Sequence, residues 1–345
     1  MKILLFGDNH FSTTSSIIRG RGEKYSLRLE NQIQSLNWVE ETAKNNNCKM
    51  IICLGDFFDK STLTDEELTA LKEIKWNESL PHYFIVGNHE SSVNGLAYNS
   101  TKALERENFY IIDKPSDLKI DNTYIHLLPY IIESDRKPLN EYFNFDKNFK
   151  NIVLSHNDIY GLQMGKFKSQ TGFDINEIDS LCDLYINGHI HNGGNFSKHG
   201  YNLGNLTGQN FSEEAFVYKH CIAILDTETL QLEFFENPYA FNFYKITVLN
   251  EFEMNTLANL LTWTTANHNS IIAFKINEEY LNNVKNIIKQ KSNILTYKIT
   301  INKIVTELNT IDNLSINHLD KFIEFCKEKI NNTDILEQEL QKVCE

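Results

Sequence analysis

Ile51-Ile52-Cys53-Leu54-Gly55-Asp56-Phe57-Phe58-Asp59 decides the reading of this chain. An apolar run too short for a helix breaks at a glycine, and two carboxylates follow. The run from Met50 to Leu54 suits a strand buried on both faces, and Gly-Asp suits the turn that leaves it. Four other stretches repeat the pattern. Lys2–Phe6 runs into Gly7-Asp8-Asn9-His10, and Tyr83–Val86 into Gly87-Asn88-His89-Glu90. Ile152–Leu154 runs into Ser155-His156-Asn157, and Tyr185–Asn187 into Gly188-His189-Ile190-His191. One such run is ordinary turn chemistry. Five in order, with an imidazole, carboxylate or amide at nearly every end, imply one site at one edge of a sheet, where open α/β sheets bind ligands.

Asp8, His10, Asp56, Asn88, His156, His189 and His191 together supply what two adjacent divalent ions need. Imidazole mixed with carboxylate and amide carbonyl suits Mn²⁺, Fe²⁺ or Zn²⁺ better than Ca²⁺ or Mg²⁺, which prefer all-oxygen shells. No cysteine stands among them, which argues against a closed structural zinc site. Two ions roughly 3.5–4 Å apart activate water and clamp the attacking and leaving oxygens of a phosphoryl displacement.

In this order the blocks resemble the calcineurin-like metallophosphoesterases, whose motifs read Asp-x-His, Gly-Asp-x-x-Asp, Gly-Asn-His-Asp/Glu, a lone His and Gly-His-x-His. The resemblance implies that Asp8, His10, Asp56 and His191 hold one ion. Asp56, Asn88, His156 and His189 would hold the other, with Asp56 bridging and Asp59 accessory. His89 would orient the phosphate and protonate the leaving oxygen, with Asn88 beside it. His82, His126, His199, His220, His268 and His318 fall in no such block and read as ordinary histidines.

Within that superfamily, protein phosphatases follow the second block with Arg-Gly, and this chain has Lys60-Ser61. Gly55-Asp56-Phe57-Phe58-Asp59 instead resembles the Gly-Asp-Leu-Phe-Asp block of the SbcD family, the nuclease subunit that pairs with an SbcC-type coiled-coil ATPase. Gly204-Asn205-Leu206-Thr207-Gly208-Gln209-Asn210-Phe211-Ser212-Glu213 is similar to the segment that closes the SbcD catalytic domain. The size resembles the compact versions encoded by large bacteriophages. The resemblance implies Mn²⁺-dependent 3′→5′ exonuclease activity on duplex ends and endonuclease activity on single strands, in DNA recombination and repair. It also implies a possible pairing of two such subunits.

Composition fits this. The 345 residues, 41% hydrophobic and 23% charged, describe a globular chain with no apolar run of membrane-spanning length. Met1-Lys2-Ile3 leads straight into a strand rather than a signal peptide, and six cysteines without metal or redox spacing read as reduced thiols. A cytoplasmic protein is expected, in the host cytoplasm if the chain is phage-encoded. The net charge of −13 opposes simple electrostatic attraction to DNA, but it is uneven: −11 over residues 1–238, +3 over 239–305 and −5 over 306–345.

Alternating strand and helix patterns fill residues 1–238, with a helix over Tyr25–Asn45 and another over Asp65–Ile74 opened by Thr64. The expected fold class is α/β: two packed mixed β-sheets flanked by helices, with a small α+β cap and a helical tail. The cap, 239–305, reads as β-α-β-α-β, and Lys285, Lys289 and Lys291 lie on or beside one helical face, which the SbcD resemblance implies touches DNA and which otherwise reads as a solvated charged face. In the tail, 306–345, Leu319, Phe322 and Ile323 form one apolar stripe, and Leu336 and Leu340 another. The SbcD resemblance assigns these stripes to docking on the ATPase.

The reading favoured here is a two-metal phosphodiesterase acting on DNA, most often with Mn²⁺. Two others stay open: a phosphatase or nucleotide hydrolase acting on phosphomonoesters, and a non-catalytic scaffold of the same fold.

Overall fold

The computed structural model of the chain describes residues 1–92, 95–164, 167–264, 269–291 and 294–302. Successive apolar residues on each strand run point to opposite faces, and this sorting builds the layers. Lys2–Phe6 shows how. Leu4 and Phe6 join Leu29, Ile33, Leu36, Val39 and Ala43 of helix α1 (Leu27–Asn45), while Ile3 and Leu5 join the core between two sheets.

The first sheet has six strands. Lys2–Phe6, Ile51–Cys53, His82–Ile85 and Phe109–Ile112 run parallel, and the hairpin Cys221–Asp226/Leu232–Glu236 closes one edge antiparallel. The second sheet also has six. Thr123–Leu128, Lys150–Ser155, Leu184–Asn187 and Gly200–Asn202 are parallel, flanked by antiparallel Ser116–Ile120 and Gly194–Asn195. Ile52, Leu54 and Ile85 of the first sheet meet Ile125, Leu127, Ile152, Leu154 and Ile186 of the second in one dry core. This is the expected pair of mixed sheets flanked by helices.

Helix starts follow their caps. Ser26 Oγ accepts the Leu29 amide at the head of α1, and Thr64 and Glu67 form a reciprocal capping box on α2 (Asp65–Ala70). Helix α3 (Ile175–Leu181), capped by Asp174, covers the outer face of the second sheet through Ile178.

Beyond Asn237 the expected β-α-β-α-β unit is present. Asn242–Val248, Ser270–Asn277 and Ile294–Asn302 form a parallel three-stranded sheet, connected by α4 (Glu251–Thr264) and α5 (Leu281–Lys289). Phe241, Phe243 and Ile271 pack against Ile18. Residues 303–345, which include the tail stripes of Leu319, Phe322, Ile323, Leu336 and Leu340, lie outside the described residues.

One expectation needs correcting. The five ligand-bearing strands do not end at the edge of one sheet. The blocks at Asp8, Asp56 and Asn88 leave the first sheet, and those at His156 and His189 leave the second. Apolar runs reveal burial on both faces but not which sheet a strand joins.

Candidate metal centre

All seven ligand candidates converge where the two sheets' parallel strands end. Asp56 sits between the halves: its Oδ2 lies 3.8 Å from His10 Nε2 and 3.2 Å from His156 Nε2. Asn88 Oδ1 faces His156 Nε2 at 3.2 Å and His189 Nδ1 at 3.0 Å. His10 Nε2 and His191 Nε2 stand 3.1 Å apart, and Asp8 Oδ2 accepts the His189 amide at 3.1 Å. Asp8, His10 and His191 form one candidate ion-holding group, and Asp56, His156 and His189 a second.

The backbone that achieves this is strained. Asp8 (φ 48°), His10 (φ 48°), Asp56 (φ 47°) and His189 (φ 67°) are all left-handed, a conformation rare for non-glycine residues and concentrated at functional sites. Glycines make room. A Cβ on Gly87 would meet Asp56 Oδ1 at 2.2 Å, and one on Gly55 would meet the His156 ring at 2.2 Å.

The donor chemistry fits divalent ions. Each of the four candidate imidazoles spends its outward nitrogen on an oxygen: His10 Nδ1 on Asp59 Oδ1 (3.2 Å) and His191 Nδ1 on Glu213 Oε1 (2.7 Å). His189 Nε2 faces Asp158 Oδ1 (3.1 Å), and His156 Nδ1 donates to the Leu54 carbonyl (2.7 Å). That pattern fixes the tautomer and aims the remaining lone pair inward, as metal-binding histidines require. Asp8 Oδ1 is buried without any hydrogen-bond partner, which a protein seldom tolerates unless something else satisfies it.

Electrostatics agree. Burial pushes the His10 imidazole below its usual range, favouring the neutral ligand form. Burial also pulls His156 down, but the adjacent Asp56 carboxylate outweighs it and holds the imidazole well above its usual value, so this pocket favours positive charge. Burial raises Asp56 too, and His156 overcomes that to keep it ionised.

His89 is placed differently. Its Nδ1 donates to the Asp59 carbonyl at 3.0 Å, its amide donates to Asp56 Oδ1 at 3.0 Å, and its side chain is 43% exposed. Edge-on to His10 with ring centroids 4.6 Å apart, it is the candidate group most open to a substrate.

Carboxylates to which the motifs gave no role support the ligands. Fully buried Glu90 accepts the Phe58 amide (3.0 Å) and the Gly87 amide (2.6 Å), tying two ligand loops together. Asp158 and Glu213 orient His189 and His191. Asp158 carried no signal beyond a carboxylate near a ligand block, whereas Glu213 ends the segment similar to the close of the SbcD catalytic domain, with no role assigned to it there. Lys285 and Lys289 are exposed on α5, and Lys291 Nζ donates to Thr262 Oγ1 at 2.6 Å. His82 and His126 are core residues, bonded to Glu40 (2.8 Å) and Asp117 (2.7 Å).

Among curated proteins the chain is similar to exonuclease subunit 1 of Enterobacteria phage T4, 24% identical over 198 residues. The alignment covers 55% of this chain and 55% of that protein, so the chain spans about half the length of the relative it matches. Among solved structures it is similar to a dimetal phosphatase from Danio rerio, with 13% identity, a TM-score of 0.39, and coverage of 68% of this chain and 98% of that one. The calcineurin-like phosphoesterase family matches residues 1–193, the stretch that carries all seven ligand candidates, and the chain belongs to that family.

Proposed function

We propose that the chain is a two-metal phosphodiesterase acting on DNA, an SbcD-like nuclease subunit that works with an SbcC-type ATPase in recombination or repair. The observation that carries the DNA substrate is the likeness to a phage exonuclease subunit. The pocket supports the chemistry.

Asp8, His10, Asp56 and His191 would hold one divalent ion, and Asp56, Asn88, His156 and His189 the second. Two such ions, Mn²⁺ ahead of Fe²⁺ or Zn²⁺, supply an activated water and screen charge on the phosphoryl oxygens. Asp56, within reach of both imidazole sets, keeps the two halves in register. His89, with Nδ1 held by Asp59, offers Nε2 to give a proton to the departing 3′-oxygen. Lys60, at the position where phosphatases carry arginine, is already engaged with the buried Glu67 carboxylate at 3.1 Å. The Glu67 carboxylate offsets its charge and so weakens it as a grip on a monoester's extra charge, which favours diesters.

Residues 239–305 would act as the cap over DNA, with Lys285, Lys289 and Lys291 as backbone contacts, and 306–345 as the docking tail for the ATPase. The protein would act in the cytoplasm, singly or as a homodimer, as a 3′→5′ exonuclease and single-strand endonuclease.

The test is Mn²⁺-dependent cleavage of end-labelled linear duplex DNA beside bis-p-nitrophenyl phosphate and p-nitrophenyl phosphate, with Asp56→Ala as the blank. DNA and diester cleavage that vanish in the blank support the reading. Monoester turnover with intact DNA would replace it with a phosphatase.

A further inference from the structure

Between the metal centre and the C-terminal sheet runs a strap, Gly204–Ala215, that lies beyond the residues matched by the family. Its inner side holds the ligand loops. Asn205 N donates to the His191 carbonyl at 3.2 Å and Leu206 N to the Gly7 carbonyl at 3.0 Å. Glu213, with a side chain 0% exposed, accepts from His191 Nδ1 at 2.7 Å. It accepts also from Asn205 Nδ2 (2.9 Å), Gln209 N (2.6 Å) and Asn210 Nδ2 (3.2 Å). With four donors on two oxygens, this carboxylate has one orientation, and it leaves His191 Nε2 aimed at His10.

The outer side is bonded to the C-terminal unit. Gly208 N donates to the Phe241 carbonyl (3.2 Å), Phe241 N to Thr207 Oγ1 (3.0 Å), and Ala215 N to the Phe243 carbonyl (2.9 Å). Lys245 N donates to Glu214 Oε1 at 3.1 Å. Glu213, which holds the ligand, and Glu214, which holds the sheet, are consecutive residues.

We propose that Glu213 is a positioning residue for the ion bound by His191, and that the C-terminal sheet keeps Glu213 in place through this strap. The proposal rests on the reading of His191 as a ligand. Buried carboxylates behind metal histidines typically change metal affinity by roughly 10–100-fold when altered. No catalytic step is assigned to Glu213, which acts through His191.

Titration of Mn²⁺ into the full chain by calorimetry tests this, with three variants beside the wild type. His191→Ala is the reference for loss of that ion. Glu213→Gln keeps the shape but places an amide among four donors, and should weaken one ion at least tenfold while the other is unchanged. Gly208→Ala touches no ligand, yet its Cβ would meet the Phe241 carbonyl at 2.2 Å and push the strap off the sheet; it should weaken the same ion. A purely structural role would lower the affinity of both ions and the melting temperature together. If Gly208→Ala does not fold, Glu214→Ala, which removes the acceptor of the Lys245 amide, replaces it with the same readout. Wild-type affinity for both ions in Glu213→Gln overturns the positioning role, provided His191→Ala loses one. Weakening by Glu213→Gln alone overturns the part given to the sheet. Two tight ions in His191→Ala would instead refute the ligand assignment on which the inference rests.

Discussion

The seven ligand candidates were legible only as an ordered set, because each alone is ordinary turn chemistry beside a glycine, a strand end or another candidate. Gly55-Asp56 and Gly188-His189 announce tight turns, and the structure puts Asp56 and His189 in left-handed backbone there. Asp158 and Glu213 were not legible in the same way. They meet His189 and His191 across gaps of 31 and 22 residues, which only the fold closes. His89 carries the sharpest consequence at this scale. Because it meets the centre through its amide to Asp56 and its ring to Asp59, rather than through an inward lone pair, His89→Ala should keep both ions bound. Turnover should fall by about 10²–10⁴, the usual worth of a positioned general acid. Wild-type turnover in steady-state kinetics would remove His89 from that role.

At the scale of elements, the helix read over Tyr25–Asn45 holds to within two residues, but the one read over Asp65–Ile74 ends at Ala70. Tyr25–Asn45 is α1 from Leu27, and Asp65–Ile74 is α2 followed by a 3₁₀ turn over Leu71–Glu73. Periodicity carries that much, but it does not show what a helix's polar residues do once buried. Gln32 of α1 is an example: Nε2 donates to the Asn9 carbonyl (2.7 Å) and the His10 carbonyl (2.8 Å), and Oε1 accepts the Ser12 amide (3.2 Å). Arg28 Nη2 adds a bond to the His10 carbonyl at 3.0 Å. The helix thereby fixes a loop whose two ligands sit at unfavourable φ. Gln32→Leu, which strands these buried groups, should cost about 2–3 kcal/mol in chemical denaturation and weaken metal binding. A loss under 0.5 kcal/mol, the scale of a surface change, would contradict the clamp.

For the whole molecule, two sheets close on one dry core, and no described helix is long and apolar enough to cross a membrane. The fold also buries His220, whose Nδ1 donates to Asn205 Oδ1 at 2.8 Å. Burial pushes this imidazole down from 6.5 to about 4, with Glu213 opposing the shift and His191 and Lys219 adding to it. Unfolded chain takes up the proton near 6.5, folded chain only near the lower value. Stability should therefore fall as the pH drops through that window, by about 3 kcal/mol from this group. His220→Gln should flatten the curve in pH-dependent urea melts, and an unchanged slope would assign the acid sensitivity elsewhere. The same closure makes Asp56 of the first sheet the meeting point for His10 and, from the second sheet, His156. The decisive measurement is therefore the number of Mn²⁺ ions per chain, in wild type and in Asp56→Ala. A bridging carboxylate gives two ions in the wild type and none at stoichiometric affinity in the variant. Two stoichiometric ions retained without Asp56 would contradict the two-sheet metal centre outright.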